Sequence, residues 1–385
     1  MREPRLVSNP LYAPSQVTPR TAEPSHFHHS LPGYAPTPLI DAPHAAQRLG
    51  VASVHVKDES ARLGMPSFKV LGASWATYRV LLRHLGATRE EIPTLDALAA
   101  RLTNSGIRLC AATDGNHGRA VARMARLLGL SAAIIVPGDM VGERIEAIRE
   151  EGATVEVIEG GYDDAIRRSA ELASETTLIV SDTSWDGYVD PPGWVIDGYS
   201  TMLSEIRQQF RDAGLSAPTI VAAQIGVGAF AAAVARGFAT ESQARLVGVE
   251  PTQADCVTSS IEQGGVTTIP GPQLSIMAGL NCGTPSIIAW PDVSAGYQTF
   301  VTITDEQAAD AMRLLASDGV VSGESGAAGL GGLLCHRDEL GLGPDDSVLV
   351  ISTEGATDLQ NYRAIVGDAA ARLDLDVHQH EGALR

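Results

Sequence analysis

Positive charge is scarce in this chain, and its distribution excludes polyanionic partners. Of 385 residues only 19% are charged, with 28 Lys and Arg against 46 Asp and Glu, for a formal net charge of −18. A phosphate backbone or an anionic lipid surface is held by clustered Lys and Arg. No such cluster occurs, so neither nucleic acid nor membrane is expected as a partner. Cysteine is equally sparse: Cys110, Cys256, Cys282 and Cys335 contain no C-x-x-C pair, which argues against a zinc knuckle or a dithiol redox motif. No metal site is expected. The opening "MREPRLVSNPLYAP" lacks the apolar core of a signal peptide. The one long apolar stretch, 219–238, is interrupted by Gln224, Gly226, Gly228 and Arg236, too often for a membrane span. These absences predict a soluble, cytoplasmic protein. Internal repeats and low-complexity segments are also missing.

What is present is small residues and length. The 39 glycines and abundant alanine suit close packing of helices on a sheet. At 385 residues the chain can bury two domains, or one large α/β unit with a second lobe. The first forty residues, rich in Pro, His and Ser, show neither helical nor strand periodicity and predict an extended arm. His26, His28 and His29 lie in that arm without a nearby acid or thiol, and are expected in solvent rather than on a metal.

From Val51 onward, short β-branched runs alternate with helical ones, the pattern of a mostly parallel sheet covered by helices. The strands are predicted at "SVHVK", "IRLCA", "AAIIV", "TVEVI", "TLIVS", "TIVAAQ", "RLVGVE" and "SVLVIS". Between them "HGRAVARMARLLG", "ERIEAIREEG", "DDAIRRSAELA" and "DEQAADAMRLLASDG" keep apolar residues three and four apart, as half-buried helices do. Ligands of such sheets bind beyond the carboxyl ends of the strands, so the loops there are where chemistry is sought.

Three loops stand out. "ATDGNHGRA", 111–119, follows a predicted strand and opens a helix, with two glycines bracketing Asn116 and His117; it can offer backbone N–H groups to an anion, although ordinary strand-to-helix turns share this pattern. "QIGVGAFAAAV", 224–234, is a second Gly-rich loop before a helix, suited to a phosphate. It lacks the G-x-G-x-x-G spacing of a dinucleotide site. "VLVISTEGATD", 348–358, ends a strand in Ser352 and Thr353. Lys69, in "GMPSFKVLGASWA", sits among apolar and small residues. Desolvation lowers a lysine's pKa and makes it a nucleophile for a carbonyl, while a phosphate cradle anchors a phosphorylated aldehyde. Together they suggest pyridoxal phosphate; alone, a lysine in such a setting is more often a surface lysine with a buried stem.

At this point the sequence resembles the fold-type II pyridoxal-phosphate enzymes (the tryptophan synthase β-like family), and among them the diaminopropionate ammonia-lyases. The blocks that carry the resemblance run from "GYAPTPL" and "VKDES" through "FKVLGAS", "TDGNHGR", "DTSWDGY", "GVGAFA", "VEP", "IMAGLNCG" and "SGESGAAGLG" to "VISTEG". It implies an α/β fold of two open, twisted, mostly parallel sheets flanked by helices. The large domain would comprise 1–80 and 188–385, the small domain 81–187. By position, it implies Lys69 as the lysine bound to the cofactor, Asn116 toward the cofactor's 3′-oxygen, and Gly226, Val227, Gly228, Ala229 and Phe230 around the phosphate. Thr353, or alternatively Ser352, would face the pyridine nitrogen. Thr113, Asp114, Gly115, His117 and Asp182 would bind substrate. Lys69, Asp114 and Asp182 would be catalytic, with Lys69 the base for the L-isomer and Asp114 for the D-isomer.

The implied reaction is α,β-elimination of 2,3-diaminopropionate to pyruvate and ammonia by a cytoplasmic homodimer. The resemblance also brings Cys256 and Cys282 toward one another, although reduced, unpaired thiols are expected in the cytosol. Departures from the family pattern are Pro66 in "LGMPSFK", where a Gly-Leu-Asn approach is usual, and Ala356 in place of an acid.

Asp114 has a reading of its own. A carboxylate beside an amino-acid carboxylate repels it by about 4 kcal/mol at 4 Å and an effective dielectric of 20. A substrate carrying an extra ammonium reverses that penalty. The same reasoning ranks a serine or threonine dehydratase, or a β-replacement enzyme, as the alternative; a pyridoxal-phosphate carrier without turnover would have no use for Lys69, Asp114 and Asp182 together. Without the resemblance, Asp182 reads as a strand-end cap.

Overall fold

The structure, a computed structural model, describes residues 3–19, 23–113, 115–138, 140–239 and 243–367. Eleven strands occur among them: β1 (Leu6–Ser8), β2 (Leu39–Asp41), β3 (Ser53–Asp58), β4 (Arg108–Ala112), β5 (Ser131–Pro137), β6 (Thr154–Ile158), β7 (Thr177–Ile179), β8 (Ile220–Gln224), β9 (Arg245–Pro251), β10 (Thr299–Ile303) and β11 (Ser347–Ser352). The chain divides into two compact units. The first comprises Met1–Arg20, Pro36–Ser67 and Met202–Arg385, the second Thr21–Ala35 and Phe68–Thr201.

The first unit holds a seven-stranded sheet in the order β1-β10-β9-β8-β11-β3-β2. All neighbours are parallel except the outermost, β1 on β10 and β2 on β3. Every residue of β8 is buried, as expected of a strand covered on both faces. The core of this unit runs from Leu49 and Val54 through Ile220, Val249 and Val301 to Leu330 and Val350. From β8 the chain steps outward to β9 and β10, whereas β11 lies on the other side of β8. The order therefore reverses between β8 and β11, and the loops leaving these two strands diverge there, opening a crevice at their carboxyl ends.

The second unit holds a four-stranded parallel sheet, β6-β5-β4-β7. Here the order reverses between β4 and β7, so the loops after Ala112 and Ile179 flank the corresponding crevice. The 17-residue helix Lys69–Leu85 belongs to this unit and ends at Gly86 in the left-handed region, φ 61°. Its Gly72 permits close approach to the helix Asp190–Gly198 and its cap: a Cβ there would lie 2.6 Å from the Tyr199 ring. The segment expected as the small domain, 81–187, falls inside this unit, which extends further to Phe68 and Thr201 because that helix is unbroken.

The N-terminal arm differs from expectation. Leu6–Ser8 forms the edge strand β1, with Leu6 opposite Val301, and Arg5 is paired with Asp255 at 2.7 Å. Ser25–His28 is a short helix whose Phe27 stacks on Tyr78, centroids 4.1 Å apart. His28 is fully buried: Nε2 donates to Leu71 O at 3.0 Å, leaving Nδ1 to accept from the Thr201 hydroxyl at 2.7 Å. It is a core residue rather than a solvated one, while His26 and His29 are exposed. No helix among the described residues is long and apolar enough to cross a membrane.

Candidate active site

The second unit gathers its chemistry at the β4 and β7 strand ends. Beyond β4, Thr113 is buried, and its hydroxyl oxygen accepts from Gly115 N and Gly118 N, each at 2.9 Å. This ties down the start of the helix Asn116–Leu127. The turn demands glycine: Gly115 has φ +142°, and a Cβ on Gly118 would fall 2.3 Å from Thr113 Cγ2. Asp114, between these residues, lies outside the described residues. His117, on the first helical turn, is buried and donates from Nε2 to Val180 O at 2.8 Å. Its Nδ1 then lies 3.8 Å from Asp182 Oδ2.

Asp182 is the centre of this group. Lys69 Nζ donates to its Oδ2 at 2.7 Å, and Tyr162 Oη donates to its Oδ1 at 3.2 Å. Burial alone would raise the carboxyl's pKa; the Lys69 ammonium, with His117 and the two hydrogen bonds, outweighs that and holds it well below the usual carboxylate range. Asp182 is thus ionised at neutral pH. Lys69 keeps 21% of its side chain exposed, enough to be reached.

The first unit carries a cradle at the β8 and β11 strand ends. Gly226, Val227 and Gly228 lead from β8 into the helix Ala229–Phe238, with Gly228 at φ +104°. The loop and the first helical turn, with Ala229 and Phe230, present N–H groups at the positive end of the helix dipole. Backbone closes over the loop: Ser286 N donates to Val227 O at 2.8 Å, and a Cβ on Gly226 would meet Gly279 O at 3.0 Å and Cys282 Sγ at 3.2 Å. At the end of β8, Gln224 Nε2 donates to Thr353 Oγ1 at 2.7 Å. The Thr353 hydroxyl, accepting there, keeps its own proton to donate. Ser352 has spent its proton on Ser322 Oγ, at 2.8 Å. Cys256 and Cys282 form no disulfide, and burial first, then Glu250 and Cys282, pushes Cys256 far above its ordinary pKa.

These residues fit pyridoxal phosphate. The chain contains two lysines. Lys57 is fully buried and bound to Glu205 at 2.8 Å, Thr37 O at 2.7 Å and Gln209 at 3.0 Å, which leaves Lys69 as the amine an aldehyde could reach. The first unit, taken by itself, supplies a glycine cradle suited to a phosphate and a hydroxyl able to donate to a pyridine nitrogen. Sequence reasoning missed Tyr162, which looks like an ordinary helix start, and Gln224, whose polarity inside an apolar run was a usable signal.

Comparison with known proteins agrees with this reading. Residues 31–354 match the family described as pyridoxal-phosphate dependent enzyme. The chain is 36% identical over 381 residues to diaminopropionate ammonia-lyase of Escherichia coli (strain K12), covering 93% of each chain. The solved structure of the Escherichia coli enzyme in complex with D-serine superimposes with a TM-score of 0.85 at 33% identity, covering 96% of this chain and 98% of that one. The same enzyme with an aminoacrylate-PLP azomethine reaction intermediate gives 0.82 at 34%, covering 95% and 97%. The chain belongs to the fold-type II pyridoxal-phosphate-dependent enzymes and, within them, to the diaminopropionate ammonia-lyase family.

Proposed function

We infer that this chain is a carbon–nitrogen lyase that eliminates the β-amino group of 2,3-diaminopropionate, with pyridoxal phosphate as cofactor, yielding pyruvate and ammonia. The observation that carries this reading is the Lys69–Asp182 pair, 2.7 Å apart at a strand-order reversal, in a chain related to the lyases along 93% of its length. Bound pyridoxal phosphate supplies the sink for the electron pair left on Cα.

The chain's own residues supply the rest. Lys69 is the amine that holds the cofactor and the base that takes the Cα proton of the L-isomer. Asp114, by family position, takes that of the D-isomer. Asp182, ionised, keeps Lys69 oriented and attracts the substrate's β-ammonium. Thr113, Gly115 and His117 line the turn suited to the substrate carboxylate; Gly226 to Phe230 would receive the cofactor's phosphate, and by family position Asn116 would lie toward its 3′-oxygen and Thr353 toward its pyridine nitrogen. The Cα–H bond breaks, the Cβ–N bond breaks, and the first ammonia leaves. Free 2-aminoacrylate then takes up water, giving pyruvate and a second ammonia. A serine or threonine dehydratase would need no second carboxylate for a cation; Asp182, together with Asp114 by family position, favours the diamino acid. Four cysteines without a disulfide suit a reducing cytoplasm, and the family pattern supports a homodimer.

The test is Lys69→Ala assayed for pyruvate from D- and L-diaminopropionate, serine and threonine, alongside the visible absorbance of the lysine-bound cofactor. Loss of both is expected. Turnover at the wild-type rate would sink the reading.

A further inference from the structure

The motif "DTSWDGY" contributes Asp182 to the reading above, but its tyrosine has no assigned part. β7 is an edge strand: it pairs with β4 on one side only, and Val180 N extends that ladder to Cys110 O at 2.8 Å. On the outer side, alternate residues turn their polar groups away from the sheet. Two of those groups converge on one atom. Tyr188 Oη donates to Ile179 O at 2.8 Å and accepts from Ser181 N at 3.0 Å. A single hydroxyl thus stands in for the missing neighbour strand.

That hydroxyl is itself rigidly carried. Trp185 and Tyr188 exchange both backbone hydrogen bonds, at 3.3 and 2.9 Å, and their rings stack 4.0 Å apart at 9°. Both rings pack on the core that includes Ile179, Ile135 and Cys110. From Ser181 the constraint passes onward: its Oγ accepts from Thr183 N at 3.1 Å and donates to Thr183 O at 3.2 Å. Val180 O is held by His117. The residues on both sides of Asp182 are therefore fixed.

We propose that Tyr188 is a positioning residue, whose hydroxyl holds the 180–183 turn so that the Asp182 carboxylate stays against Lys69. The proposal rests on the reading that Lys69 and Asp182 act in the site. It predicts that removing one oxygen atom, on a side chain with no hydrogen bond to either Lys69 or Asp182 but tied to the turn between Val180 and Thr183, alters the protonation of Lys69.

Tyr188→Phe keeps the ring and its stacking and deletes only the hydroxyl. Two readouts are needed. The first is carbamylation of Lys69 by cyanate in the full chain before loading with cofactor, followed by mass spectrometry across pH. Cyanate reacts with the neutral amine, and with two lysines in the chain the site is unambiguous. A loosened pair releases the ammonium's proton more readily, so Y188F should react about five- to tenfold faster near neutrality, as a pKa drop approaching one unit gives. The second is kcat of the holoenzyme, which should fall about tenfold, the scale of one hydrogen bond, with less change in KM.

Asp182→Asn should show both effects, and Y188F added to D182N should add nothing. Wild-type carbamylation in Y188F, or an equal loss of kcat in the D182N background, would overturn the proposal. If Y188F does not fold, Trp185→Ala, which leaves the hydroxyl but removes the ring stacked on it, should give the same pattern in smaller measure; wild-type rates there would count against the proposal. K69A separates the premise from the inference: turnover retained in K69A removes the site reading itself, whereas an inactive K69A beside an unaffected Y188F removes only the role of Tyr188.

Discussion

Two lysines in one chain show how surroundings divide identical side chains. Lys57 is enclosed with Glu205, Thr37 and Gln209, and Arg62 bonds Glu59 and Glu205 beside it; burial pushes the Lys57 pKa down, against the pull of Glu59 and Glu205. It is structural. Lys57→Met should cost roughly 2–3 kcal/mol, less than a fully orphaned buried charge because Arg62 still pairs Glu205, and should leave cofactor absorbance intact; urea denaturation and a spectrum check both. As candidates, Lys69 stood out by its apolar neighbours and Ser352 and Thr353 by their strand end, the choice between the two hydroxyls being left open. Asp182 was legible only through the resemblance, because a carboxylate at a strand end is usually a cap. Asp114 has its own test: Asp114→Asn should lower D-isomer turnover by roughly 10²–10⁴-fold, the usual share of a positioned base, and L-isomer turnover less, with serine gaining relative to diaminopropionate as repulsion is relieved. Equal losses for both isomers in side-by-side assays would make Asp114 structural.

At the scale of elements, the eight strands read from β-branched runs are all present, and the four helical runs also. β1 and β2 escaped because three residues carry no periodicity, and as edges they need not be apolar throughout. β10, "TFVTI", was passed over because it leads directly into the capped helix Asp305–Ser317 and reads as its approach. The cradle is an element-scale device: Gly226→Ala forces a Cβ toward Gly279 O at 3.0 Å. Cofactor affinity should fall about tenfold or more, since backbone approach to a phosphate tolerates little displacement; equilibrium dialysis reads it directly. A second device lies at the end of the helix Glu324–Cys335. His336 Nδ1 meets Glu339 at 2.7 Å and Nε2 meets Thr302 O at 3.2 Å, so both nitrogens donate and the ring is cationic. Burial lowers its pKa, but the hydrogen bonds it makes to Cys335 and Glu339 prevail and lift it to about 9. With the folded value above the unfolded 6.5, its stabilisation is full below pH 6.5 and is lost as pH rises through about 9. His336→Gln should therefore cost about 1 kcal/mol at pH 6, discounted because Glu339 is exposed, and nothing at pH 10, by urea denaturation at each pH.

For the whole molecule the governing number is the net charge of −18. It was legible at once and argued against nucleic acid as a partner, yet it says nothing of fold. The two strand-order reversals that place the site residues were not legible at all, since strand order depends on which runs pair across the sheet and not on where they fall in the chain. Charge does bear on assembly. If the family's homodimer forms here, each copy brings −18 to the encounter, and their mutual repulsion must be overcome by the contact. The Debye length is about 30 Å at 0.01 M salt and about 8 Å at 0.15 M, so screening should strengthen association. Light scattering at micromolar concentration should give a mass of twice 40.3 kDa at 0.15 M salt, moving toward the single-chain value as salt is lowered. A mass of 40.3 kDa at every ionic strength would mean a monomer. A dimer mass insensitive to salt would place the contact where acidic residues are already paired, leaving repulsion no part in the equilibrium.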